Sequence, residues 1–445
     1  MLLGGTACSG PVISQIDTGE FGLVEIFTPQ APINNFVFVF TGAEGQQRDD
    51  LQAVKELAEA GSLVALIDVR ETLKRLPKLK EDCIYLPGPL EWISRNAQHG
   101  AGLTRYLKPL LFGRNTGGDL VYAVLAQAPP LSFIGGASLD FTGAWPVSKP
   151  PCRLRISTQG DGTTKLSPET AVRGHWLLAH GTPAGAISSP AFREVAIPYT
   201  EVVETAVQLY TAALARLGAA PAAEGNEDVS ALPIVEVGNM SSTGTLVVIY
   251  SGDGGWRDLD RTLGETLAQK DYAVIGVDAL HYFWSLRSPE ESSADLARLL
   301  EHYLNAWDCQ RVVLIGYSFG ADILPFIYNR LPQPLREKVV LLSLLAPSLG
   351  ASFEIHLEEW VTSDLNEDAL PTVPEVARIE PSKLQCFYGE EDSDDTLCLD
   401  AVMKDADITK TGGGHHFDED YPALAGLIDQ AIRSRLLTAA TSPSR

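Results

Sequence analysis

No stretch of this sequence stays apolar for the roughly 20 residues that a bilayer-crossing helix needs. The longest runs, FVFVF at 36–40 and VVLLSLLA at 339–346, suit buried strands. Basic residues are scarce: 34 Lys and Arg stand against 57 Asp and Glu, a formal net charge of −23. With no basic run either, nucleic acid is not an expected partner, and neutral or cationic substrates are easier to accommodate. The six cysteines contain no C-x-x-C pair, which removes the usual signature of a structural metal site. No GK[ST] ending follows the glycine-rich loops, which argues against a Walker-type phosphate cradle. The opening MLLGGTACSG has neither the basic start nor the apolar segment of an intact secretory leader, so composition alone leaves the compartment open.

The 445 residues, 45% of them hydrophobic and 20% charged, are enough for two soluble domains with separate cores. The order of elements repeats. FVFVFTGAEG at 36–45 corresponds to LVVIYSGDGG at 246–255, 210 residues on, and each reads as a strand ending in a glycine turn. A helix expected from Asp50 to Glu59 leads to VALIDV, as one from Asp258 to Gln269 leads to AVIGVD. GRNTGGD at 113–119 then faces GYSFGAD at 316–322, and WLLAHG at 176–181 more loosely resembles QCFYGE at 385–390. Strands alternating with amphipathic helices predict two tandem α/β domains with mostly parallel sheets. LGAAPAAEGNEDVS at 217–230 reads as the linker, with a boundary near residue 226 and domains at 1–226 and 227–445.

The second half carries the chemistry. In RVVLIGYSFGADILPFIYNRL, a strand over Val312–Ile315 runs into a glycine-flanked turn and then a helix over Ala321–Arg330. That context makes GxSxG a nucleophile elbow, with Ser318 exposed above the sheet edge. The architecture requires an acid and then a histidine further along the chain. GEEDSDD supplies Asp392, with Asp394 and Asp395 as alternates; GGGHHF supplies His415, with His416 as the alternate. The N–H groups of Asp253, in YSGDGGW, and of Phe319 are the expected oxyanion donors. Asp322, four residues past Ser318, and Trp256 are candidate substrate contacts, although for Asp322 a structural pairing with a neighbouring loop is the preferred reading. HYFW at 281–284 suits an aromatic wall or core packing. The acidic loop and HH pair lack the i,i+4 spacing of a metal site, and the chemistry needs no cofactor.

The first half carries Asn115 at the elbow position, no acidic loop, and no histidine comparable to HH. Its amide cannot replace an activated hydroxyl, and His99, His175 and His180 are expected to be structural. This half is read as a degenerate copy that packs on, orients or restricts access to the other, or binds a partner. Among the cysteines, Cys386 and Cys398 bracket the acidic loop and are the first expected disulfide, with two buried thiols as the alternative.

Together, IYSGDGGWRDLD, LIGYSFGAD, FYGEEDSDDTLC and GGGHHF resemble the bacterial VirJ/AcvB family of virulence-associated α/β hydrolases, most strongly over about 234–440. The full length resembles its two-domain members. The resemblance implies an α/β-hydrolase-like fold in both halves and a serine hydrolase that cleaves the aminoacyl ester of lysyl- or alanyl-phosphatidylglycerol. It carries the nucleophile to Ser318 and the base to the HH pair. It also implies a periplasmic location with the leader trimmed, a more plausible disulfide, transient peripheral membrane contact, and a link in some members to secretion-system proteins. A general carboxylesterase or thioesterase, and a non-enzymatic secretion adaptor on a hydrolase fold, are the alternatives.

Overall fold

The computed structural model describes residues 11–129, 132–168, 175–180, 192, 197–198, 205–217, 229, 232–238, 241–355, 369–393 and 396–441. The chain divides into two compact units, 1–221 and 222–445. The expected boundary near residue 226, most of the linker and the opening segment with Cys8 lie outside the described residues.

In the first unit the strands are β1 (Val12–Thr18), β2 (Gly22–Thr28), β3 (Asn35–Phe40), β4 (Ser62–Ile67), β5 (Pro109–Arg114), β6 (Gly135–Leu139), a hairpin of β7 (Ile156–Thr158) and β8 (Thr164–Leu166), β9 (His175–Ala179) and β10 (Ile197–Pro198). The main sheet runs β1-β2-β4-β3-β5-β6-β9-β10. β1 and β2 enter antiparallel, and every later pairing is parallel. The period-two alternation of β3 divides its side chains between two cores. Phe36, Phe38 and Phe40 pack beneath the helices Pro87–Gly100 and Thr116–Gln127; Val37 and Val39 pack beneath Arg48–Glu59 and Ala206–Leu217. With both faces covered, the central strands read as continuous apolar runs.

The second unit repeats this plan with β11 (Ile234–Gly238), β12 (Thr245–Tyr250), β13 (Ala273–Val277), β14 (Arg311–Tyr317), β15 (Val339–Leu345), the small pair β16 (Gly350–Ala351) and β17 (Leu370–Pro371), β18 (Leu384–Gly389) and β19 (Asp407–Thr411). Its main sheet runs β11-β13-β12-β14-β15-β18-β19. Only β11 is antiparallel to its neighbour. Position for position this is the first sheet without β1, so both units share one α/β plan with a mostly parallel sheet. Helix Asp258–Ala268 buries Leu259, Leu263 and Leu267 at helical spacing against Val247, Ile249 and the Leu424–Ile428 stretch of helix Tyr421–Thr441. Because β12, β14, β18 and β19 are parallel, the loops that follow them emerge at one sheet edge, where open α/β sheets place their sites.

Cys386 and Cys398 are joined, as the sequence suggested, and a second bridge links Cys83 to Cys152. Cys309 is a buried free thiol. Among the described residues no helix is long and apolar enough to cross a membrane, and no cluster of side chains is arranged to hold a metal ion.

Candidate active site

β14 is buried along nearly its whole length and delivers Ser318 to the start of helix Phe319–Arg330. Ser318 sits at φ 51° and ψ −119°, a region that costs a non-glycine residue energy unless its surroundings enforce it. The enforcement is visible. Ser318 N still donates to Leu345 O at 2.8 Å, as the sheet requires, while its carbonyl already accepts from Ala321 N at 2.8 Å and Asp322 N at 3.1 Å, as the helix requires. A Cβ at Gly316 would stand 2.4 Å from Gly320 O, and one at Gly320 would stand 2.4 Å from Tyr250 O. The spacing of GxSxG is therefore the spacing at which a strand can turn this sharply into a helix.

The first unit keeps the same turn without the hydroxyl. Asn115 lies at φ 48° and ψ −122°, Asn115 N donates to Leu139 O at 2.8 Å, and Gly113 and Gly117 are crowded by backbone in the same way. Its β-strand plan and its elbow persist; the nucleophile does not.

In the second unit the structure brings Ser318, His415 and Asp392 together. His415 Nε2 lies 2.8 Å from Ser318 Oγ, and His415 Nδ1 lies 3.7 Å from Asp392 Oδ2. The latter is an ion-pair distance, longer than a hydrogen bond. Asp392 closes the short helical turn Glu390–Asp392 directly after β18, and the histidine turn follows β19. The two loops touch through backbone: Glu391 N donates to Gly413 O at 3.0 Å, and a Cβ at Gly389 would meet Gly414 O at 2.3 Å. The Cys386–Cys398 bridge closes the segment that contains Asp392. His416, the alternate base, points elsewhere, with Nδ1 3.0 Å from Tyr317 Oη. The alternates Asp394 and Asp395 lie outside the described residues.

Crowding by the surrounding protein pushes the His415 pKa below its usual value of about 6.5, and the Asp392 carboxylate only partly offsets this. The imidazole is consequently neutral near pH 7, the form able to accept a proton from Ser318.

The loop after β12 supplies the opposite wall. A Cβ at Gly252 would lie 3.7 Å from Ser318 Cβ and 3.2 Å from the Tyr317 ring, so this loop passes directly beside the elbow. Asp253 follows it. Phe319, at the first position of the helix, has an N–H that no carbonyl of its own helix can satisfy. Its ring lies tilted against that of Phe283, 5.2 Å between centroids. Beside His415 a cleft of about 320 Å³ opens, lined by Ala346, Ser348, Tyr388, Glu391 and Asp392 among others.

Two expected substrate contacts have other duties. Trp256 is only 3% exposed and packs over Gly276, where a Cβ would fall 2.1 Å from the indole ring. An amphipathic tryptophan in a glycine loop suited a binding wall, but the hollow left by Gly276 draws it into the core. Asp322 Oδ1 accepts from Ser348 N at 2.6 Å and so fastens the loop after β15. Asp119 does the same in the first unit, accepting from Thr142 N and Gly143 N at 2.8 Å, and burial pushes its pKa up to about 6. Of HYFW, Tyr282, Phe283 and Trp284 are buried, which makes the core-packing alternative the correct one.

Sequence reasoning did not single out Asp260. It is the counterpart of Asp50, which holds Arg114 through two short ion-pair contacts beneath the first elbow. In the second unit Tyr317 replaces that arginine. Asp260 is buried, accepts from Arg257 N at 3.2 Å, and has no partner for Oδ1, so burial pushes its pKa up to about 8. The folded protein keeps this proton where the unfolded chain has lost it. The Asp260 contribution to stability is thus full below about pH 4 and is lost as pH rises toward 8. Asp260→Asn should leave thermal stability nearly unchanged at pH 4.5 and raise it by on the order of 2–4 kcal/mol at pH 8. Thermal melts at the two pH values check this; equal effects at both would contradict it.

Several solved structures are similar to about half of this chain. MenH from S. aureus is 15% identical, with 45% of this chain and 97% of that chain covered at a TM-score of 0.35. Est1E from Butyrivibrio proteoclasticus, described with ferulic acid bound, is 12% identical, with 47% and 98% covered at 0.33. The Pyrococcus furiosus esterase Pf2001 is 15% identical, with 48% and 98% covered at 0.33. No curated protein matches the chain. Residues 244–436, which span the elbow, the acidic loop and the histidine turn, match the family described as bacterial virulence protein (VirJ).

Proposed function

We propose that the second unit is a serine hydrolase that cleaves the aminoacyl ester of aminoacyl-phosphatidylglycerol, lysyl or alanyl, to free amino acid and phosphatidylglycerol. The observation that carries this reading is the 2.8 Å approach of His415 Nε2 to Ser318 Oγ at a strained elbow. Neutral His415 takes the Ser318 proton as Oγ attacks the ester carbonyl. The N–H groups of Phe319 and Asp253 stabilise the oxyanion, and Asp392 supports the imidazolium. The imidazolium then returns its proton to the departing glycerol oxygen, leaving an aminoacyl-serine. Water, activated by His415, releases the amino acid and restores Ser318.

The substrate class rests on the family resemblance and on charge. The cleft beside His415 carries the Glu391 and Asp392 carboxylates, which suit the ammonium group of an aminoacyl ester. A periplasmic location is supported by the two disulfides, since such bridges persist in oxidising compartments. The substrate is a lipid, so the enzyme would meet a membrane surface transiently.

Purified protein given lysyl- and alanyl-phosphatidylglycerol beside short aryl esters should release amino acid with a kcat/KM at least roughly 10-fold above that for the aryl esters, since cleft contacts made to the ammonium strengthen binding of its transition state. Turnover of aryl esters alone would favour a general carboxylesterase. No turnover of either would favour a non-enzymatic adaptor.

A further inference from the structure

The histidine turn has a structural problem that the proposed reaction must solve. His415 follows Gly412, Gly413 and Gly414, three residues with little intrinsic stiffness, yet its ring must hold Ser318 Oγ within hydrogen-bond reach. Misplacement by about 1 Å is enough to cost roughly 10²-fold in rate. Downstream, Phe417 is buried and donates its N–H to Gly414 O at 3.0 Å, and Phe417, Asp418 and Glu419 all lie at positive φ. A strained turn of this kind needs an anchor on the side of the elbow.

Tyr317 stands at that place. It is 7% exposed, immediately precedes Ser318, and its Oη lies 3.2 Å from His415 O and 3.0 Å from His416 Nδ1. Burial and nearby acids, Asp260 foremost among them, raise the phenol pKa, so it keeps its proton. One proton must serve two contacts. A carbonyl can only accept, so the phenol donates to His415 O; its oxygen must then accept from His416 Nδ1–H. Hydrogen accounting thereby fixes the tautomer of His416 and gives the second histidine of the pair a defined task.

The first unit provides the contrast. Arg114 occupies the position of Tyr317, and its guanidinium is taken up by Asp50 and Glu44. No histidine turn comparable to HH exists there to be held.

We propose that Tyr317 is a positioning residue for the hydrolase reaction: its hydroxyl clasps the histidine turn through His415 O and His416 Nδ1, and so keeps His415 Nε2 on Ser318 Oγ. This rests on the reading of Ser318 and His415 as nucleophile and base. It acts through the backbone of His415 and touches no substrate.

The test uses the full chain and a serine-directed fluorophosphonate, which reports nucleophile activation whatever the natural substrate is. Tyr317→Phe should react roughly 10- to 50-fold more slowly than wild type, within the cost of a small displacement, while its melting temperature stays within about 3 °C. His416→Ala, which breaks only one of the two contacts, should show a smaller loss, and the double variant should be no more than about twofold worse than Tyr317→Phe alone, which already removes both. His416→Asn, whose amide nitrogen can stand in for Nδ1–H, should recover most of the rate. Nitrogen NMR of labelled histidines should show His416 as the Nδ1–H tautomer in wild type and a changed ring in Tyr317→Phe. Wild-type labelling rates in Tyr317→Phe, or multiplicative losses in the double variant, would overturn the clasp. If wild type itself were inert to the probe, the hydrolase reading would fail instead. The His416 ring spectrum would then decide the contact alone, with an unchanged spectrum in Tyr317→Phe refuting it.

Discussion

Ser318→Ala should reduce turnover of any ester the second unit hydrolyses, the proposed aminoacyl-phosphatidylglycerol included, by at least about 10³-fold, measured as kcat/KM. The substitution removes Oγ, which His415 Nε2 approaches at 2.8 Å, and with it the covalent route. What survives is the oxyanion wall and substrate binding, which sustain only a small residual rate. The loss is expected without loss of fold. Alanine at φ 51° bears no more backbone strain than serine does, and the first unit shows that this turn forms without a serine, since Asn115 takes φ 48° and ψ −122° there. Melting temperatures of variant and wild type should accordingly agree within about 3 °C. A variant that retained wild-type turnover would remove Ser318 from the chemistry altogether.

Asp392→Asn should lower kcat by roughly 10²- to 10⁴-fold, because the acid fixes the tautomer of the base and stabilises its charged form. Asp394→Asn and Asp395→Asn, by the same account, should stay within roughly threefold of wild type, because Asp392 already stands beside His415 Nδ1. Asp392 Oδ2 and His415 Nδ1 stand at an ion-pair distance of 3.7 Å, and the Cys386–Cys398 bridge closes the segment that carries the acid. The pH profile offers a second readout. The active imidazole is neutral, so kcat/KM falls as pH drops through the His415 pKa, already below its ordinary value of about 6.5 through burial. Asp392 raises that pKa, so removing its charge should move the acid limb further down the pH scale even as the rate falls. An acid limb that moved upward would contradict the assignment.

Much of the site could be read in the chain because its signals are local. The strand, glycine turn and helix around Ser318 occupy adjacent residues, and the acid and histidine follow in the order the fold imposes. The duplication was legible for the same reason: β3 and β12 keep their 210-residue spacing, and both sheets follow one strand order. What the sequence left open was decided by tertiary contact. Nothing in HH says which ring meets the serine; the answer is set by Tyr317, which draws His416 aside. Trp256 reads as a loop tryptophan until Gly276, twenty residues on, proves to be the floor it packs against. The Cys83–Cys152 bridge joins two loops of the first unit with no shared motif, whereas Cys386 and Cys398 were conspicuous for flanking the acidic loop. Asp260 and Tyr317 carry no motif of their own: an ion pair in the first unit is replaced by a buried acid and a phenol in the second, and only tertiary contact gives them a role.

The central claim is that His415 activates Ser318 for covalent attack. The most direct measurement is peptide mapping by mass spectrometry after reaction with a fluorophosphonate at pH 7, in wild type and in His415→Ala. A single adduct on Ser318 in wild type, formed at least roughly 10³-fold more slowly in the variant, is the predicted result. An adduct on another residue, or labelling of Ser318 at the same rate without the imidazole, would contradict the account.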